Sequence, residues 1–219
     1  MKIQQLIYFS FIVFNVLILG YLFYRIDNKW LFLGGLVGLI PVWVLSVFDY
    51  SITLFGFEIN IGWIFLPCLV LTIYLIKIYP AYYLSNNKLI SNILWGAAIG
   101  LFLGFVVTLV EPKSDPFELN ILIRFLSYSI WVSVREEFYF RGFLLNNFEK
   151  IGVNPVITVL IQGFIFSLGH VYDLPIGILT STLFGFLAGY ITVKHKNIFG
   201  SIIGHIIINF LPEFYSFLS

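Results

Sequence analysis

Long apolar segments follow one another along nearly the whole chain, and they limit the folds it can adopt. A helix needs about 20 mostly apolar residues to cross the hydrocarbon layer of a membrane. Eight segments of the 219-residue chain come close to this length or exceed it. They are 3–24, 31–49, 59–79, 89–110, 120–148, 155–171, 174–193 and 198–217. The first is too long for a signal-peptide core and lacks a small-residue cleavage pattern, so we expect it to be retained as a helix.

The composition points to the same class of protein. Hydrophobic residues make up 60% of the chain and charged residues 11%, whereas soluble domains carry about a quarter charged residues. The net charge of +1 gives no indication of nucleic-acid binding, and the single Cys68 excludes a disulfide framework. We predict an all-α, polytopic membrane bundle of about eight transmembrane helices, with the lipid bilayer as a partner and no nucleic acid.

The polar segment 111–118, "EPKSDPFE", is the best candidate for a boundary inside the bundle. It predicts an N-terminal four-helix half over 1–115 and a C-terminal four-helix half over 116–219. Basic residues concentrate in the loops on the cytoplasmic side of membrane proteins. Seven fall on one predicted side, against two (Lys2 and Lys113) on the other, so both termini are predicted to lie outside. The seven are Arg25, Lys29, Lys77, Lys88, Lys150, Lys194 and Lys196.

One predicted span carries a dense cluster of charges, "REEFYFR" at 135–141. Ionisable groups inside a membrane are costly and need partners, water or a function. Glu137 and Arg141 are four residues apart and can pair on one helix face. Glu136 is rotated by about 100° and points elsewhere. A neutralised insertion device or a contact between helices would explain the cluster without any catalysis, and this alternative stays open.

Two later spans add polar residues that suit hydrolytic chemistry. "FIFSLGH" ends in His170, and "HIIIN" places His205 and Asn209 four residues apart. A carboxylate with two imidazoles can activate water, with the carboxylate as general base, and amide or imidazole N–H groups can stabilise an oxyanion. Glu136, His170 and His205 would equally suit zinc, so zinc stays an open alternative to a metal-free site. His195, in the loop "KHKN", is predicted to be a solvated surface residue.

These motifs resemble those of the CAAX-protease and bacteriocin-processing family, also called the Abi family. "EEFYFR" is similar to its EExxxR motif, "FSLGH" to FxxxH and "HIIIN" to HxxxN, in the same order over about residues 120–215. The resemblance implies an intramembrane endopeptidase. It implies Glu136 as general base, His170 as a partner in water activation, and His205 with Asn209 as the oxyanion-stabilising pair. Glu137 and Arg141 would support the site, and the resemblance leaves the use of a metal undecided.

The expected activity is hydrolysis of a peptide bond in a membrane-bound peptide or protein, by a glutamate-type or metal-dependent peptidase. Two alternatives are a non-catalytic immunity or binding protein on the same scaffold and a proton-coupled transporter. Loss of Glu or His positions would indicate the first, and an inverted repeat would indicate the second; the sequence shows neither. The abundance of Ile, Phe, Asn and Lys suggests a bacterial source, so the expected location is the bacterial cytoplasmic membrane.

Overall fold

The structure is a computed structural model. It describes residues 88–110, 119–170 and 176–218, the segments 51–54 and 57–60, and scattered residues between 10 and 25. The predicted spans 31–49 and 59–79 lie almost entirely outside these residues. The scattered residues of the first predicted span are helical, as expected.

A short β-hairpin is the one described departure from the predicted all-α fold. Strand β1, Ser51–Leu54, pairs antiparallel with β2, Phe57–Asn60. Its register aligns Ser51 with Asn60 and Leu54 with Phe57. β-Branched residues at 52, 53 and 59 favour this extended conformation. The strand β2 therefore takes up the first residues of the segment that was predicted to be a third span.

Helices account for every other described element. Helix α1 is Leu89–Val110, the same bounds as the predicted fourth span. Helix α2, Leu119–Glu137, continues into a π-helix, Phe138–Leu145, and then into α3, Asn146–Lys150. Helices α4, Pro155–Leu168, α5, Ile176–His195, and α6, Phe199–Leu218, follow. The long predicted span 120–148 is thus a helical path with a change of winding in its second half.

Three described helices, α1, α5 and α6, are long and apolar enough to cross a membrane, and α4 is a shorter apolar helix. Together with the composition they make the chain a multi-pass membrane protein. The described residues do not establish the count of about eight spans. The division at residue 115 stays a prediction, although α1 packs closely along α6 across it.

Glycines allow α1 and α6 to approach until their backbones touch. A Cβ atom on Gly96 would overlap the carbonyl oxygen of Gly200, and one on Gly100 would lie 2.5 Å from the carbonyl oxygen of Gly204. The Gly200 N–H also donates to the side-chain oxygen of Asn92, which is fully buried. Small residues four apart on both helices allow this close approach, as is common between membrane helices.

The described loops that carry basic residues lie together at one end of the bundle. Lys196, in the turn before α6, pairs with Glu149 in α3 at 2.7 Å. Lys88 directly precedes α1. It lies near this end as well, because Asn92, in the first turn of α1, contacts the start of α6. Asn154 caps α4 by accepting from the Val156 N–H, and Asn197 accepts from the Phe199 N–H at the start of α6. Lys88, Lys150 and Lys196 therefore lie at one end of the bundle, as predicted, while Lys29 and Lys77 lie outside the described residues.

An aromatic core fills the space between the π-helix, α4 and α5. Phe140 and Phe166 meet edge to face, with ring centroids 5.1 Å apart. Phe166 lies 5.9 Å from Phe184. Leu22, from the N-terminal helical residues, is fully buried in the same cluster. This aromatic core packs against the charged motif at residues 135–141.

Candidate active site

A cavity of about 460 Å³ opens between α2, α4, α5 and α6. Its wall is formed by α2 from Phe125 to Glu136, the end of α4 with Gly169 and His170 after it, the first half of α5, and α6 from His205 to Glu213. Apart from the first of these α6 residues, which lie near the middle of that helix, these parts lie in the half of the bundle farther from the described basic loops. The cavity therefore faces the end opposite the basic loops.

The Glu136 carboxylate stands at the centre of the polar groups in this cavity. Its Oε1 accepts a hydrogen bond from Arg135 Nη2 at 2.9 Å. Its Oε2 lies 3.8 Å from His170 Nε2 and 3.9 Å from His205 Nε2. These two distances are longer than a direct hydrogen bond, and a water can bridge groups at such separations. The side chains of Glu136 and His170 are 20% and 27% exposed, so solvent reaches them through the cavity.

The neighbouring Glu137 points away from the cavity into the protein. Arg141 donates to its Oε1 at 2.7 Å, and both side chains are fully buried. The predicted i,i+4 pair is therefore present, and the predicted divergence of Glu136 from Glu137 is present as well. Arg141 also lies 4.5 Å from the Phe166 ring centroid and 5.2 Å from that of Phe184. These aromatic faces add attraction for the buried cation.

His205 lies between the carboxylates of Glu136 and Glu137. Its Nδ1 is 2.9 Å from Glu137 Oε1, and its Nε2 faces Glu136 Oε2. An ionised carboxylate only accepts hydrogen bonds, so Nδ1 carries a hydrogen. The ring is held between Phe184 at 5.0 Å and Phe166 at 5.5 Å. Position and tautomer of His205 are thus set by groups on three helical segments.

The change of winding occurs between the carboxylates and the arginine of the motif. Glu137 is the last residue of α2, and Arg141 lies in the π-helix. A π-helix widens the turn and is frequent at functional sites. The residues from 139 to 145 are all buried, so this wider turn packs the whole segment against the core.

The remaining predicted site residue, Asn209, also lines the cavity, one turn beyond His205 on α6. The structure therefore brings together Glu136, His170, His205 and Asn209. Glu137 and Arg141 lie directly behind them. Among the described residues, no group of three His, Cys, Asp or Glu side chains is arranged to hold a metal ion.

Comparison with known families identifies this region. Residues 118–211 match the family model for type II CAAX prenyl endopeptidases of the Rce1-like kind. This part of the chain, a little under half of it, is similar to the CAAX protease family. No curated protein and no solved structure gave a significant match. The similarity supports a membrane peptidase, in agreement with the resemblance seen in the three motifs.

Three features of the candidate site were not predicted from the sequence. Arg135 pairs with Glu136 although the two are adjacent, and Glu137 contacts His205 on another helix. Glu213 lines the cavity beside Pro212. Its spacing, four residues after Asn209 and eight after His205, places it on the same face of α6 and was the available signal.

The third histidine corrects another expectation. His195 is 6% exposed rather than solvated, and it ends α5 near the basic loops. The turn that follows it includes Lys196 at a φ of 51°. Because it lies at the end opposite the cavity, His195 provides a control residue for experiments on the candidate site.

Proposed function

We propose that the protein is an intramembrane endopeptidase that hydrolyses a peptide bond of a membrane-associated peptide or protein. The observation that carries the proposal is the convergence of Glu136, His170 and His205 on one cavity in a CAAX-protease-family region. Three helices supply these residues, and a contact made only to stabilise helix packing would not need to face a cavity.

Glu136 acts as the general base. A water held between Glu136 Oε2 and the two imidazoles gives its proton to the carboxylate, and its oxygen bonds to the carbonyl carbon of the substrate. Collapse of the tetrahedral intermediate breaks the C–N bond, and Glu136 returns the proton to the leaving amine. His170 helps to orient the water, and Arg135 compensates the charge of the carboxylate before the reaction.

His205 and Asn209 stabilise the negative oxygen that forms on the substrate carbonyl. Asn209 can donate from its amide nitrogen. His205 donates from Nε2 only as an imidazolium, because its Nδ1 hydrogen is directed at Glu137. Glu137 accepts from Nδ1 and so keeps Nε2 of the ring directed toward the cavity.

Glu137 and Arg141 act as positioning residues. Neither lines the cavity, and both are fully buried behind it. Arg141 holds Glu137, which in turn holds the His205 ring. We place the protein in the bacterial cytoplasmic membrane, with a leader peptide, signalling peptide or membrane-protein tail as the substrate class rather than a prenylated CAAX protein.

The proposal is tested with the purified full chain in detergent or nanodiscs and a library of quenched fluorescent apolar peptides. We expect Glu136→Gln to lower kcat/KM by about 100- to 10,000-fold, the range for loss of a general base. His205→Ala and Asn209→Ala are expected to lose about 100- to 1,000-fold each, as for an oxyanion donor. Cleavage at an unchanged rate by folded Glu136→Gln would remove Glu136 as the base. His195→Gln serves as the histidine control and should retain activity.

A chelator series tests the zinc alternative that the sequence leaves open. The proposed steps use Glu136 as the base and need no metal. We therefore expect activity to persist in a strong chelator, with no stoichiometric metal detected in the purified protein. Activity that disappears and returns on addition of zinc would overturn the metal-free mechanism.

A further inference from the structure

Glu213 is a carboxylate on the cavity wall that the proposed reaction does not use. It follows Pro212 in the last turns of α6, on the face that carries His205 and Asn209. Its side chain is neither fully buried nor fully exposed. A helix within an apolar layer carries such a group at a cost, and ionisable residues facing a cavity in membrane proteins commonly mark substrate contacts.

Glu213 is a charged residue of this cavity that lacks a paired countercharge among the described residues. Arg135 pairs with Glu136, and Arg141 pairs with Glu137 behind the wall. Within the part of the chain that the structure describes, the Glu213 carboxylate has no hydrogen bond and no ion pair. Among the described residues that line the cavity, Glu213 is therefore the carboxylate without a paired cation.

We propose that Glu213 forms a specificity subsite that binds a positively charged side chain, Lys or Arg, of the peptide substrate. This inference rests on the proposed peptidase function and adds the substrate class. A basic side chain entering the cavity supplies the missing countercharge, and charge-assisted hydrogen bonds to a carboxylate are among the stronger polar contacts. An acidic side chain at the same place would meet like-charge repulsion.

The helix geometry predicts where that basic residue lies in the substrate. Glu213 is eight residues beyond His205, and at 1.5 Å per residue this separates them by about 12 Å along α6. An extended peptide advances by about 3.3 Å per residue. The basic residue should therefore lie three or four residues from the scissile bond, on one side of it only.

The experiment uses the full-length protein in nanodiscs and matched fluorogenic peptides. Each peptide carries an apolar sequence with one variable residue, Lys, norleucine or Glu, moved through the four positions on either side of the central amide. The wild type should cleave a Lys peptide with about tenfold higher kcat/KM than the norleucine peptide, at a position three or four residues from the cleaved bond. Glu213→Gln should lose that preference but still cleave the norleucine peptide, and Glu213→Lys should prefer the Glu peptide. Glu149→Gln, which removes a carboxylate at the opposite end of the bundle, should keep the wild-type preference.

A binding measurement separates this inference from the proposed function. Binding of the same labelled peptides to Glu136→Gln and to Glu136→Gln/Glu213→Gln is measured by fluorescence anisotropy. Tighter binding of the Lys peptide that needs Glu213 supports the subsite even if no peptide is cleaved, and in that case the peptidase function is what fails. Cleavage or binding with the same charge preference in the presence and absence of Glu213 overturns the subsite and leaves the peptidase function intact.

Discussion

At the scale of single residues, the Glu137 carboxylate is shared by two donors on different helical segments. Arg141 reaches it from the π-helix, and His205 reaches it from α6 through Nδ1. Because the group is fully buried, no water can replace either donor. The orientation of His205 in the cavity therefore depends on the Glu137–Arg141 ion pair, which lies behind the cavity wall.

Removing one member of this buried pair should be costly. We expect Arg141→Met to lower the free energy of unfolding by about 3–5 kcal/mol, because it leaves the Glu137 carboxylate buried with less compensation. Lys196→Met also breaks an ion pair, but its side chain is 39% exposed, so the loss should be about 1 kcal/mol or less. Denaturant unfolding in detergent measures both variants. Equal losses of unfolding free energy in the two variants would contradict the larger penalty expected for breaking the buried pair.

The sequence predicts part of this residue-scale arrangement. Helical spacing alone predicts the Glu137–Arg141 contact and the separation of Glu136 from Glu137. The Glu137–His205 contact joins residues 68 positions apart. It depends on how α2 and α6 are placed relative to each other, which no local spacing records. Glu213 differs in this respect, because its spacing on α6 from His205 and Asn209 could have predicted that it faces the same cavity.

At the scale of elements, the α1–α6 contact rests on glycine. Gly96→Ala places a methyl group on the Gly200 carbonyl oxygen, so the helices must separate. We expect a loss of about 1–3 kcal/mol, as for other overpacked contacts, together with reduced activity, because α6 carries His205. Gly20→Ala is the matched control, since a Cβ at Gly20 meets nothing within 4 Å. Equal unfolding curves for the two variants would contradict the close seam.

Helix positions are well predicted where the apolar pattern is unbroken. The span predicted at 89–110 coincides with α1, and the last two predicted spans differ from α5 and α6 by one or two residues at each end. The π-helix was not predicted, because the apolar pattern of residues 138–145 does not distinguish it from an α-helix. The hairpin was missed since its strands are apolar enough to resemble the edges of spans.

At the scale of the whole molecule, the basic loops and the cavity lie at opposite ends. With the basic loops in the cytoplasm, the end of α6 near Leu218 lies outside. In a Cys68→Ser background, we expect a membrane-impermeant maleimide to label Leu218→Cys on intact cells. Lys194→Cys should react only after the cells are opened; both positions are exposed. The reverse pattern would contradict the predicted orientation.

The glycine seam also determines what can be removed from the chain. The family match begins at residue 118, yet α1, which ends at Val110, covers the backbone of Gly200 and Gly204 on the helix that carries His205. A shortened protein starting at residue 116 would expose that strip of main chain and lose the Asn92 acceptor. The smallest fragment suitable for expression, domain exchange or redesign therefore begins before Leu89, and the recognisable family region is smaller than the working unit.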